Sequence, residues 1–210
     1  MAFHTMTHII KNGRTEVYIC FKKMKTRKFT VAFRLMHFTI ALCIVCLLIT
    51  IFLRMNWMNK DQMAGIIDAN LKTLNISLTQ DQLVKMAKQI RKPMWDWHIY
   101  IGYVLIGLYS VRMILPFFRQ MEFRNPFSIT ATLKEKIQAW IYILFYFFLG
   151  ITLLTGLLIE VGPKSFKASL ESVHELSLYY LIPFIVLHCG GVLLAELSTQ
   201  KGIISKMVSG

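Results

Sequence analysis

The stretch Ser172–Leu197, SVHELSLYYLIPFIVLHCGGVLLAEL, decides the fold. It is long and apolar enough to cross about 30 Å of hydrocarbon. Yet it keeps two histidines, Pro183 at its middle and Glu175 and Glu196 towards its ends. Polar groups inside a bilayer cost free energy unless a partner compensates them. His174 and His188 therefore need a reason to be there.

Three further apolar runs lie upstream: Leu35–Leu53, Ile99–Phe118 and Ile137–Ile159. With 55% hydrophobic residues in 210, the chain is too apolar for an ordinary soluble domain. The expected fold is an all-α integral membrane protein, a bundle of four transmembrane helices at roughly 33–54, 95–118, 137–160 and 173–197. Residues 1–30 read as a basic tail, 31–200 as the membrane domain and 201–210 as a second tail. The connection 56–92 reads as a short helical hairpin. Asp61 is its first expected N-cap; Thr79 with Gln82 forms a capping box for the second helix. Pro93 suits the first turn of the second span.

The net charge of +13 does not point to nucleic acid. Lys11, Arg14, Lys22, Lys23, Lys25, Arg27, Lys28 and Arg34 crowd the N-terminal segment; Arg119, Arg124, Lys134 and Lys136 join spans two and three; Lys201 and Lys206 follow span four. All three segments fall on one side of a four-span protein. The positive-inside rule then places both termini in the cytoplasm and the 56–92 hairpin outside. A cleaved signal peptide is not expected, and Met24 opens a conventional short start, so residues 1–23 are expected to be dispensable or to precede the true start. Cys43 and Cys46 form a CxxC inside the first span, where packing is the expected role. Cys20 and Cys189 have no partners that spell a zinc site.

His4 and His8 sit in the tail; the other histidines fall in the spans, His37 in the first, His98 in the second, His174 and His188 in the fourth. Fourteen residues turn a helix through about 1400°, roughly 40° short of four turns, and rise about 21 Å. His174 and His188 thus share a face and approach opposite surfaces. Threading the chain from a cytoplasmic N-terminus pairs His37 with His188 at the inner depth and His98 with His174 at the outer depth. Two imidazoles meeting across a bundle core suit a six-coordinate haem iron. Gly102, Gly107, Gly150, Gly156, Gly190 and Gly191 offer flat helix surface for a macrocycle or for close helix packing. Arg34 and Arg112 on the inner side, and Arg91 and Lys92 on the outer, could hold propionates or act as snorkelling anchors.

RLMHF (34–38), WDWHIYIGYVLIGLYSVRMI (95–114), YILFYFFLGITLLTGLL (142–158) and the 174–197 segment together resemble the bacterial di-haem b-type cytochromes of the cytochrome b-561 type. That family includes cytochrome subunits of nickel–iron hydrogenases and formate dehydrogenases. The resemblance implies two bis-histidine b haems, with His37, His98, His174 and His188 as iron ligands and Arg34 and Arg112 as cofactor-binding cations. It implies a bacterial inner-membrane protein exchanging electrons with quinone, and a soluble redox subunit on the outer side as a possible partner. Two other functions stay open: a stand-alone superoxide:quinone oxidoreductase, since some small family members oxidise superoxide, and a haem-free membrane anchor or transporter. Lys85, Lys88, Arg91, Lys92, Lys164 and Lys167 near the outer mouth would suit a small anion, an acidic partner or anionic membrane lipid equally.

Overall fold

Helix signals are clearest where a side chain can take an orphan backbone N–H. In the computed structural model, which describes residues 6–11, 14–19, 30–115, 126–127, 131–198 and 201–209, threonine does this three times. Thr30 caps α1 (Val31–Met55) by accepting from Phe33 N–H at 3.3 Å. Thr79 and Gln82 form the expected capping box at α3 (Gln80–Ile114). Thr132 and Glu135 form a second box at α4 (Leu133–Val161). The expectations for His4, Cys20, Lys22, Lys23, Met24, Lys25, Arg27, Lys28, Arg119 and Arg124 lie outside the described residues.

Four helical segments are long and apolar enough to cross a membrane: Val31–Met55, Gln80–Ile114, Leu133–Val161 and Lys164–Leu197. The last comprises a short 3-10 turn, Lys164–Phe166, then α5 (Lys167–Glu175) and α6 (Ser177–Leu197). From Val31 onward the described residues form an all-α four-helix membrane bundle. Its core is small: Cys43, Ile44, Leu105, Phe145, Leu149, Leu153 and Leu181. Most other apolar side chains face outward, such as Leu35, Leu42 and Ile49 on α1. Their seven-residue spacing draws a stripe along one helix face, as a lipid-facing surface requires. Cys43 belongs to the core and no disulfide involves it or Cys46, so the CxxC packs.

Three expectations are corrected. Asn59, not Asp61, caps α2 (Lys60–Lys72); its side chain accepts from Asp61 N–H at 2.9 Å, and Asp61 sits in the first turn, where the helix dipole favours an acid. Pro93 begins no helix: α3 runs unbroken through it, so the second hairpin helix and the second span are one element. The carbonyl that Pro93 deprives of a donor belongs to the exposed Gln89, where water can satisfy it. The fourth span, in turn, is interrupted at Leu176, which keeps helical dihedrals (φ −61°, ψ −14°).

α2 packs on the first turns of α3 around Ala64, Leu83 and Ala87, a second small core separate from the bundle. This cap marks one end of the bundle; α1 begins and α6 finishes at the opposite, tail end. There a short helix is tied to the bundle. Glu196 accepts from Gly202 N–H (2.7 Å) and Ile204 N–H (3.0 Å), capping α7 (Ile203–Val208), whose Val208 carbonyl accepts from Arg34 Nη1 at 2.9 Å. The carboxylate of Glu196 is therefore a helix cap. Upstream of α1, β1 (Met6–Lys11) and β2 (Arg14–Ile19) pair antiparallel, with Met6 opposite Ile19 and Lys11 opposite Arg14.

Candidate functional site

The bundle brings the four span histidines together in two pairs. At the cap end His98 of α3 faces His174 of α5, ring centroids 6.5 Å apart. At the tail end His37 of α1 faces His188 of α6 at 5.9 Å. A metal about 2 Å from one nitrogen of each ring, with about 1 Å more to each ring centre, would separate the centroids by about 6 Å. Both pairs have that spacing. Among the described residues no group of three or more metal-ligating side chains exists, so each pair stands alone.

Hydrogen bonding fixes which nitrogen is free at the cap end. Thr50 Oγ1 donates its single proton to the Leu47 carbonyl (2.6 Å), so towards His98 Nδ1, 2.7 Å away, it can only accept. His98 therefore carries its hydrogen on Nδ1 and a lone pair on Nε2. His174 Nδ1 lies 3.0 Å from the Thr152 carbonyl, which also only accepts, and 3.3 Å from Thr155 Oγ1. The same tautomer follows. Such bonds orient a histidine and raise its basicity as a metal ligand. Gly156 makes room: a Cβ there would come within 2.9 Å of His174 Cε1. Trp95, one turn before His98, stacks on its ring (4.7 Å, 3°), and the Arg54 guanidinium lies 4.3 Å over Trp95. A cavity of about 230 Å³ opens over this end, lined by Arg54, Lys88, Arg91, Lys92, Met94, Trp95 and Glu171.

At the tail end, Phe184 stacks on His188 (5.7 Å, 9°), and Tyr142 Oη sits 3.2 Å from its Nδ1. Arg112 donates from Nε to Tyr146 Oη at 3.1 Å and lies 4.7 Å over the Phe33 ring. Arg34, one turn before His37, has its Nε buried without a hydrogen-bond partner, the one such side-chain atom among the described residues. A buried donor in that state calls for an acceptor. A carboxylate of a group bound between His37 and His188 would supply it. Spacing, tautomers and this orphaned donor all fit a haem.

Of the cap-end cations, Lys92 is engaged by Asp96 at 2.6 Å, and Arg91 Nη1 donates to the Met58 carbonyl at 3.4 Å. Gly102, Gly107, Gly190 and Gly191 have no neighbour within 4 Å of a built Cβ, whereas Gly150 makes room for the Tyr109 hydroxyl. His8 lies on β1. Thr50, Thr152, Thr155, Tyr142, Trp95 and Arg54 were not singled out from the sequence; only Trp95, three residues before His98, carried a local signal.

Comparison with curated proteins and with solved structures found no match. The family model described as prokaryotic cytochrome b561 matches residues 28–210, which include all four span histidines. The chain belongs to the prokaryotic cytochrome b561 family, and is thereby a multi-pass bacterial membrane cytochrome that binds b-type haem and works in electron transfer.

Proposed function

We propose that His98 with His174 and His37 with His188 each hold one b haem, and that electrons pass from a donor on the outer, cap side to membrane quinone. The observation that carries this reading is the double occurrence of facing imidazoles about one metal's width apart. The iron, when bound, supplies reversible one-electron chemistry. The chain's own residues do the rest. Thr50 and the Thr152 carbonyl hold the cap-end imidazoles in register through their Nδ1 hydrogens. Arg34 and Arg112 supply positive charge at the tail-end pair. Between the two levels Phe145 and Phe184 stack at 3.7 Å and fill the core, which keeps water out of the path. The cytoplasmic placement of both termini, the 1–30, 31–200 and 201–210 division, the quinone and a soluble outer redox subunit all belong to this proposal.

Pyridine haemochrome analysis of the purified chain tests it: about two haem b per chain is the expected result. A ratio near one would remove one of the two sites. Replacing Thr50 with valine should leave the His98 Nδ1–H without its acceptor, at a cost of about 1–3 kcal/mol. The outer midpoint potential should shift in a redox titration while the inner one holds; two unchanged potentials would separate Thr50 from the centre.

A second reading is favoured by the mouth over His98. Arg54, Lys88, Arg91 and Lys92 outnumber Glu171 there, and a cationic funnel raises the arrival rate of small anions. Superoxide would be such a substrate, oxidised at the outer centre as quinone is reduced. Superoxide-driven quinone reduction by the isolated chain decides between the two. No stimulation above the spontaneous rate leaves the partner-fed reading.

A further inference from the structure

A second cavity adjoins the one over His98 and shares Arg54, Lys88 and Arg91 with it. It has a volume of about 370 Å³ and is lined by Arg54, Met55, Asn59, Lys60, Lys88 and Arg91. Four cations and no carboxylate form its walls; the acid acting on Arg91 is Asp61, beside Lys60 in the first turn of α2. Lys60 and Lys88 make no ion pair among the described residues. Like charges held this close repel unless an anion sits among them.

The place of the cavity says which anion. Met55 is both a wall of it and the last residue of α1, on a helix that exposes Val45, Ile49 and Phe52 below. Those side chains follow one another at three- and four-residue spacing and form a continuous apolar strip. The strip runs from the middle of the bundle up to the four cations. Trp57, exposed and edge-on to Phe52 at 5.9 Å, stands where the apolar surface gives way to the cap, the level at which tryptophan anchors helices in the headgroup region. An acyl chain can lie along the strip while a phosphate occupies the cavity. The lipid-facing surface of α1 thus leads directly to the four cations, where a lipid headgroup would sit.

We infer that the Arg54–Lys60–Lys88–Arg91 cavity binds the phosphate headgroup of an anionic phospholipid whose tail lies along α1. The site also touches the outer centre, because Arg54 packs on Trp95, which stacks on His98. A lipid phosphate on Arg54 fixes the outer member of that column.

The test uses the full chain in nanodiscs of phosphatidylcholine containing spin-labelled phosphatidylglycerol or spin-labelled phosphatidylcholine. The immobilised fraction of each label gives relative affinity. The native protein should favour phosphatidylglycerol, and each cation removed should cut the preference about fivefold, following the contribution of single basic residues near a membrane surface. Lys60→Gln and Lys88→Gln, alone and together, are the variants, since both lysines are exposed and neither packs in a core. Equal immobilisation of the two labels by the native chain overturns the site. So does a double variant that keeps the full preference. Free glycerol phosphate that displaces the label at equal concentration overturns the lipid source in favour of a soluble anion. A change in the outer haem's EPR signal on adding phosphatidylglycerol is also expected. That last readout rests on the haem reading, whereas label selectivity stands without it.

Discussion

His98→Ala should leave a folded protein with about one haem per chain instead of about two. His98 is held on three sides, by Trp95 stacked on its face, Thr50 at Nδ1 and His174 across the gap. Alanine removes the metal-ligating atom and leaves a single imidazole, too weak a grip for a six-coordinate iron. The His37–His188 pair lies about 21 Å away along the bundle and shares none of these partners. Its low-spin EPR signal should survive. The outer site is also the entry point in the proposed direction of flow, so reduction of quinone by an outer donor should fall to background. Haem content that stays near two would detach His98 from ligation. Loss of both haems with helicity intact by circular dichroism would break the claim that the two ends are independent.

Gly156→Leu should produce the same spectral loss without touching a ligand. A Cβ at 156 would meet His174 Cε1 at 2.9 Å and Nδ1 at 3.3 Å. The ring cannot retreat freely, because its Nδ1–H is committed to the Thr152 carbonyl at 3.0 Å. Overpacking of this kind costs about 1–3 kcal/mol. Here the strain falls on the geometry of the centre as well as on stability, so the outer haem should be lost or should lose its bis-histidine spectrum. Gly65→Ala, in open space on the cap, is the control and should change nothing. A Gly156→Leu protein with both haem signals native would mean that His174 has another place to go.

Much of this was readable from the chain because the bilayer reduces the problem to length and depth. Four apolar runs give four spans, and the depth of each histidine follows from its position along an outward or inward helix. The Thr79–Gln82 box was legible for a similar reason, since it closes within one helical turn. What escaped was set by contacts across helices. Thr50 and His98 are far apart in sequence and meet because α1 packs against α3. Arg54 reaches Trp95 by the same packing. Pro93 was misread because proline is common at helix starts, and only the exposure of Gln89 makes it tolerable inside α3. The capping role of Glu196 escaped because the Gly202 and Ile204 N–H groups it accepts from belong to the next element, six and eight residues on.

The unbroken α3 makes the cap a lever arm. The helix is about 52 Å long, and His98 sits about 27 Å from its first residue, joined to it by one helix whose hydrogen-bond ladder lacks only the Pro93 rung. A load on the cap is carried to His98 as rotation or translation, because α3 runs helical from the cap through Pro93 to His98. Of the four span histidines, His98 alone lies on that arm. The same rigidity sets a phase: one residue added between Lys92 and Trp95 would turn the cap about 100° against the bundle. A residue added in the 73–79 turn, where Asn75 already takes a left-handed φ of 58°, changes no angle that His98 feels. Length variation in this chain is therefore tolerated in the turn and forbidden along the rod.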